Sequence, residues 1–168
     1  MILYHGSDQI IETPELRPPT RTLDFGSGFY TTTNQKQAID FAIKVYERSF
    51  RVGNTPRGQF VSIYNVNYEA MQRRLDILHF ESATEEWFDF VIANRRNIGQ
   101  DKKYDVIYGP VANDTIYRTL IAFENGILSK TETIAKLKVY PLFDQMTFAS
   151  KQALSFLKFS SFMEIPNG

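Results

Sequence analysis

The sequence predicts an α+β domain in which strands and helices are mixed along the chain. Its 168 residues, 43% of them hydrophobic, supply one sizeable core and are too few to need two. Several short segments alternate apolar and polar residues, while others have helical spacing and begin at capping residues. These segments do not follow one another as regular strand–helix–strand units, which argues against a doubly wound sheet. We therefore expect a single domain over residues 1–168.

The first third of the chain predicts two strands, a loop and a helix. Residues 2–5 form a short apolar strand that stops at Gly6. Three prolines, at positions 14, 18 and 19, exclude regular structure from the segment that follows. A second strand is expected over residues 29–32, and Asn34 then caps a helix over about residues 35–48.

The rest of the chain continues the mixed pattern. Ser82 with Glu85, and Ser129 with Glu132, have the spacing of capping boxes, so each pair predicts a helix start. Gly126 is expected to end the helix that precedes the second box. The predicted elements are strands at 60–66, 75–80, 104–110, 142–148 and 158–165, and helices at 82–94, 113–125, 129–138 and 150–157.

Composition excludes several function classes. Lys plus Arg and Asp plus Glu both total 19, so zero net charge gives no argument for a nucleic-acid or membrane partner. The chain has no cysteine, which rules out disulfides, thiolate metal ligands and a cysteine nucleophile. The N-terminus lacks the basic and long apolar regions of a signal peptide, and no stretch is long enough to cross a bilayer. We expect a cytoplasmic protein without membrane contact.

Common catalytic motifs are absent or incomplete. Gly26-Ser27-Gly28 begins like a dinucleotide fingerprint, but the predicted strand follows these glycines instead of preceding them. His5 and His79 are far apart and lack helical ligand spacing, so we expect no metal site. Ser7 lies near His5, but no nucleophile-elbow motif surrounds it.

Two motifs near the N-terminus carry the functional signal. Tyr4-His5-Gly6-Ser7 ends the first strand, and Gly28-Phe29-Tyr30-Thr31-Thr32 leads into the capped helix. In order, spacing and context, this pair resembles the diphtheria-toxin-like branch of the ADP-ribosyltransferases, which includes the poly-ADP-ribose polymerases and small bacterial domains. The resemblance covers nearly the whole chain. It implies a split antiparallel β-sheet core with flanking helices, and NAD⁺ as substrate without a metal.

The resemblance assigns roles to three side chains that face NAD⁺. His5 bonds a ribose hydroxyl and orients the sugar. Tyr30 and Phe41 are expected to sandwich the cationic nicotinamide ring, because the faces of aromatic rings are electrostatically negative.

Further contacts to NAD⁺ are expected from the first strand and the loop after it. Gly6 lacks a Cβ, so its backbone can approach the nicotinamide carboxamide. Ser7 or Thr31 adds a polar contact, and Arg17 and Arg21 contact the pyrophosphate.

The third family motif is altered. The family carries a glutamate at the start of a late strand, where it binds the ribose 2′-hydroxyl and stabilises the developing cation. The residue aligned here is Gln145, which can bind the hydroxyl but brings no negative charge. The neighbouring Asp144 should face the opposite side of the strand.

These features predict a mono-ADP-ribosyltransferase acting on an undetermined protein or nucleic-acid acceptor. His5, Tyr30 and Gln145 are the predicted catalytic residues. Asn113 and Asp114 either cap a helix or contact the acceptor or a phosphate. The resemblance also implies a toxin of a bacterial toxin–antitoxin system, with an antitoxin as partner. Two alternatives remain open, an NAD⁺ glycohydrolase and a non-catalytic module that binds ADP-ribose or a partner.

Overall fold

A computed structural model describes residues 1–18, 23–53, 55, 57–96, 104–111, 114–137 and 142–166. These residues form seven strands and six helices. In chain order they are β1 (Ile2–Ser7), β2 (Phe29–Thr31), α1 (Gln35–Arg51), β3 (Phe60–Asn65), α2 (Tyr68–Gln72), β4 (Ile77–His79), α3 (Glu85–Arg96), β5 (Val106–Val111), α4 (Asp114–Glu124), α5 (Lys130–Leu137), β6 (Phe143–Phe148), α6 (Lys151–Leu154) and β7 (Lys158–Glu164).

The strands are divided between two sheets. The first has the order β1-β3-β7 and is antiparallel throughout. The second has the order β2-β6-β5-β4, in which β4 and β5 run parallel and the other pairs run antiparallel. Helix α3 connects the parallel pair, as a parallel connection requires. The α+β class predicted from the sequence is confirmed.

The two sheets meet at β1 and β2. Tyr4 N donates to Thr32 O at 2.9 Å, and Thr32 N donates to Tyr4 O at 3.0 Å, forming a single antiparallel bridge. This bridge brings the two N-terminal motifs side by side although about 25 residues separate them along the chain.

Helix α1 packs directly on β1. Its buried residues Ala38 and Ala42 meet Val61 of β3 in a small cluster, which allows the helix to lie close to the sheet. Asn34 caps this helix as predicted, with its side chain accepting from Gln37 N at 3.0 Å.

Two larger clusters fill the remaining core. One lies between the sheets and includes Leu3, Tyr64 and Phe148, all fully buried. The other surrounds Trp87 of α3, whose indole nitrogen donates to Pro110 O at 2.9 Å. A buried indole N–H needs such a partner, so the bond fixes α3 against β5.

One of the two predicted capping boxes forms. Ser129 N donates to a Glu132 carboxylate oxygen at 2.8 Å, and Glu132 N donates to Ser129 Oγ at 3.3 Å. The prediction of the other box was wrong: α3 begins at Glu85, three residues after the predicted start at 82, and Trp87 N donates to Thr84 Oγ1 at 3.3 Å. Glu85 does not close a box with Ser82 because it is the first residue of α3 and not the third, and its carboxylate pairs with Lys130 at 2.6 Å instead.

Other differences from the predicted elements are local. Helix α2 was not predicted; it is a five-residue helix capped by Asn67, too short for a periodic apolar pattern. Helix α6 ends at Leu154 rather than at residue 157, and turns complete the segment. Gly126 ends α4 as predicted, with a φ of 72° that favours glycine. Among the described helices, none combines the length and apolar character needed to span a bilayer.

Candidate ligand-binding cleft

A cleft of about 890 Å³ opens where the two sheets meet. A volume of this size is typical of a site for a small molecule or nucleotide. It is bordered by β1, β2, α1, β6 and the loops that follow β1 and precede β2. Eight site residues predicted from the sequence line it: His5, Gly6, Ser7, Arg17, Tyr30, Thr31, Phe41 and Gln145. Arg21, the ninth, lies outside the described residues.

His5 is held in one orientation by two contacts. Its Nδ1 lies 2.7 Å from Tyr30 O, and its ring stacks on Phe29 with centroids 4.3 Å apart. A carbonyl oxygen only accepts, so Nδ1 carries the proton of this hydrogen bond. The bond joins β1 to β2 next to the bridge between the sheets.

The environment of His5 favours a neutral ring. Desolvation by burial lowers the pKa of His5, and the positive charge of Arg17 lowers it further, against the raising effect of the bond to Tyr30 O. A neutral ring with its proton on Nδ1 leaves Nε2 as a hydrogen-bond acceptor. No described residue bonds Nε2, and the described side chains include no buried nitrogen or oxygen without a partner, so Nε2 is accessible from the cleft. His5 can therefore accept a hydrogen bond from a ligand hydroxyl.

Tyr30 is anchored at both ends. Its hydroxyl donates to Gly26 O in the preceding turn, and its backbone pairs with Thr147 of β6. The ring also packs against the core cluster around Trp87. These contacts fix the ring as one wall of the cleft, while Phe41, on α1, is 42% exposed and lines the cleft as well.

Gln145 lies on β6, the neighbour of β2. It lines the cleft, and its Nε2 donates to Thr147 Oγ1 at a long 3.4 Å. Asp144 lines a separate small cavity with His79 and Tyr108 instead. The two residues therefore face opposite sides of β6, as the alternation of a strand requires.

Close packing accounts for the two motif glycines. A Cβ on Gly6 would lie 2.0 Å from Ala38 O of α1, and a Cβ on Gly28 would lie 2.7 Å from Phe148 O of β6. Both distances are shorter than any real contact. Glycine at position 6 is thus required by the approach of α1 to β1, and this requirement stands apart from any contact with a ligand.

Two predicted polar contacts have partners within the protein. Thr31 is 3% exposed, and its hydroxyl donates to Met146 O at 2.9 Å, so that donor is used inside the sheet. The Ser7 hydroxyl lies 3.5 Å from a carboxylate oxygen of Asp8, a long contact that leaves it available to a ligand.

A partly buried ion cluster at the far end of the cleft was not predicted from the sequence. Arg95 of α3 is 9% exposed, lies 3.1 Å from Asp24 and 3.2 Å from Glu124, and stacks over the ring of Tyr117 at 4.8 Å. Burial lowers the pKa of Arg95, but the hydrogen bonds and charges of Glu124 and Asp24 outweigh it and raise the pKa. No local motif marks these positions, because residues from three separate segments meet only in the fold.

Comparison with known proteins gives one result. The family model described as "Protein of unknown function (DUF3990)" matches residues 1–159. The chain belongs to this family. Comparison with curated proteins and with solved structures finds no match. The DUF3990 match includes both N-terminal motifs and Gln145, so the whole cleft lies within the family region.

The charges of this DUF3990 cleft are mixed. Its described lining contains four carboxylates, on Asp8, Glu12, Glu15 and Asp24, and two guanidinium groups, on Arg17 and Arg95. Arg95 is already paired with two carboxylates. Among the described lining residues, Arg17 is therefore the cation available to an anionic ligand.

Two other features bear on the chemistry of the site. The described residues contain no group of three or more side chains suited to a metal ion. Asp114 begins α4, but Asn113 and the side chain of Asp114 lie outside what the structure describes, so their predicted roles stay predictions.

Proposed function

We propose that this protein is a mono-ADP-ribosyltransferase that binds NAD⁺ in the cleft and transfers one ADP-ribose to an acceptor. The observation that supports this most strongly is the convergence of His5, Tyr30 and Gln145. They lie on three strands, up to 140 positions apart in sequence, and line one cleft. The resemblance of the surrounding motifs to ADP-ribosyltransferases predicts these same three positions.

In the proposed reaction, the bond between the nicotinamide nitrogen and ribose C1′ breaks. Nicotinamide leaves with the bonding electron pair, and positive charge develops on the ribose as in glycoside hydrolysis. A nucleophile on the acceptor then forms a bond to C1′ and loses its proton to solvent. The site contributes mainly by positioning and by electrostatics.

His5 is suited to orient the ribose. Its accessible Nε2 accepts a hydrogen bond from a ribose hydroxyl, and its ring is fixed by Tyr30 O and Phe29. Because the ring is neutral, it does not add positive charge beside the developing cation.

Tyr30 and Phe41 are suited to hold the nicotinamide ring. The ring is cationic in NAD⁺, so the negative faces of the two aromatic side chains stabilise it there. The hydroxyl of Tyr30 is used by Gly26 O, which leaves the ring as its contact surface. Arg17, on the loop after β1, supports the pyrophosphate.

Because Gln145 stands where ADP-ribosyltransferases carry a glutamate, we expect a low rate of ADP-ribose transfer. Its amide can bond the ribose 2′-hydroxyl, but it offers no negative charge to the transition state. A full charge about 4 Å away, at an effective dielectric of about 20, is worth about 4 kcal/mol. That corresponds to about 10³-fold in rate, so we expect Gln145→Glu to raise transfer by up to this factor.

The test follows nicotinamide release and label transfer together. The parent, Gln145→Glu and the control Gln152→Glu are incubated with NAD⁺ labelled in the adenosine half, in a lysate, and label is measured on protein, DNA and RNA. Gln152 is an exposed residue of α6 outside the cleft, so its change matches the new charge without altering the site. We expect the label to appear on one class of macromolecule. Nicotinamide release should be faster than in the parent for Gln145→Glu and unchanged for Gln152→Glu.

Other outcomes separate the alternatives. Nicotinamide release without label on any macromolecule identifies a glycohydrolase. Binding of NAD⁺ or ADP-ribose with no release, together with activity gained by Gln145→Glu, identifies a binding module. Absence of NAD⁺ binding in all variants contradicts the proposal.

A further inference from the structure

The cleft combines side chains from several elements, of which β2 and β6 are paired through the backbone from Phe29 to Thr31. Tyr30 belongs to β2, Phe41 to α1 and Gln145 to β6. Among the described residues, the side chain of Gln145 has a single long hydrogen bond, 3.4 Å to Thr147 on the same strand, so the backbone of β6 decides where its amide lies. The ladder between β2 and β6 ends at Thr31 and Met146, so a group that ties β6 near Gln145 to the segment after β2 and to α1 would set the geometry of the site.

Asp144, on the reverse side of β6 from Gln145, makes these connections. Its Oδ1 accepts from Thr32 Oγ1 at 2.8 Å and from Thr33 N at 2.9 Å. Its Oδ2 accepts from Thr33 Oγ1 at 2.5 Å and from the Tyr108 hydroxyl at 3.0 Å. One carboxylate thus ties β6 to the segment after β2 and to β5.

The same contacts continue into α1. Thr32 Oγ1 accepts from Asn34 N at 3.0 Å and lies 2.8 Å from the side-chain oxygen of Gln37. Asn34 is the N-cap of α1, and Gln37 lies in its first turn. Through Thr32, Asp144 is therefore linked to the start of the helix that carries Phe41.

Charge explains why a carboxylate occupies this position. Four donors converge on two oxygens, and an ionised carboxylate has about four lone pairs and no proton of its own. An asparagine would turn an NH₂ group toward two of these donors. Tyr108 shows the effect of this environment, since burial first and the Asp144 charge second raise the pKa of its hydroxyl to about 12.

We propose that Asp144 is a positioning residue that sets the separation of Gln145 from β2 and α1 across the cleft. It contacts no ligand itself, because it faces the second cavity. Its effect on transfer rests on the function proposed above, whereas its effect on the position of Gln145 does not.

The test compares Asp144→Asn with two other variants. Ser129→Ala removes a capping-box contact of α5 away from the cleft and serves as the control for lost stability. Tyr108→Phe removes one of the four donors and provides a milder change if Asp144→Asn does not fold.

Two readouts are needed. The side-chain amide signal of Gln145 and the ring signals of His5 are followed by NMR in the free proteins, with Gln145 assigned by its loss in Gln145→Glu. Steady-state nicotinamide release is then measured against NAD⁺ concentration, with the melting temperature of each variant recorded.

We expect Asp144→Asn to shift the Gln145 amide signal and to lower kcat by about 10- to 100-fold, since a misplacement near 1 Å has effects of that order. KM for NAD⁺ should change less than kcat. Tyr108→Phe should show both changes to a smaller degree, and Ser129→Ala neither.

Unchanged Gln145 and His5 signals in Asp144→Asn overturn the inference, whether or not NAD⁺ binds. A loss of kcat no greater than in Ser129→Ala also overturns it. If the parent does not bind NAD⁺, the proposed function fails, and the NMR result alone decides the positioning role.

Discussion

Gly6→Ala tests the packing role of this glycine. A Cβ at position 6 would lie 2.0 Å from Ala38 O and 2.8 Å from Ala42 N, both backbone atoms of α1. No rotamer change relieves such a contact, so α1 must move away from β1. Overpacking of this kind costs about 3 kcal/mol, which lowers the melting temperature of a domain of this size by roughly 6 to 12 °C.

The measurement is equilibrium unfolding by urea together with thermal melting, and Gly53→Ala is the matched control. Gly53 has a φ of 77°, and a Cβ added there would meet nothing within 4 Å, so its substitution reports conformational strain without collision, at about 1 kcal/mol. If Gly6→Ala is as stable as the parent, or no less stable than Gly53→Ala, the packing explanation is refuted.

Three further predictions concern stability. Burial lowers the pKa of His5 in the fold, so the unfolded chain binds more protons than the folded protein below pH 6.5. The free energy of unfolding, measured by urea titration, should therefore fall from pH 6.5 toward pH 5. His5→Gln should remove part of this pH dependence. Arg95→Met removes the guanidinium that pairs with two partly buried carboxylates and should cost about 3 kcal/mol by urea unfolding. A loss below about 1 kcal/mol would contradict a stabilising role of this cluster. Thr84→Ala should lower the free energy of unfolding by about 1 kcal/mol, because a helix cap is lost. Ser82→Ala should change it by no more than about 0.5 kcal/mol. If calorimetry shows equal losses for the two variants, Ser82 is a cap after all.

The sequence was sufficient for the elements whose signals are local. Asn34, Ser129 and Gly126 act at helix ends within a few residues of themselves, and each takes its predicted role. The prediction at Ser82 failed because Thr84, two residues later, makes the capping contact, so that Glu85 becomes the first helical residue. A second capping residue nearby can therefore displace a predicted helix start.

The candidate cleft was predictable where a motif carried it. His5 and Tyr30 belong to two motifs whose spacing placed them together, and the structure joins them by a hydrogen bond. The sequence could not predict that Arg95 lines the cleft or that the carboxylate of Asp144 supports it, because the partners of both residues come from several segments of the chain. At Gly6 the structure adds a constraint that the sequence did not reveal, since the packing of α1 also requires glycine there, and the predicted ligand contact stays a prediction.

The most direct test of the central proposal is titration of the parent with NAD⁺ by calorimetry, beside the variants His5→Ala and Tyr30→Ala. The control is Ser129→Ala, which lies outside the cleft. We expect saturable binding by the parent and the control, and affinity at least about tenfold weaker in both cleft variants, as the loss of one good contact each would give. If the folded parent does not bind NAD⁺, or if His5→Ala and Tyr30→Ala bind it as the parent does, the proposed function is contradicted.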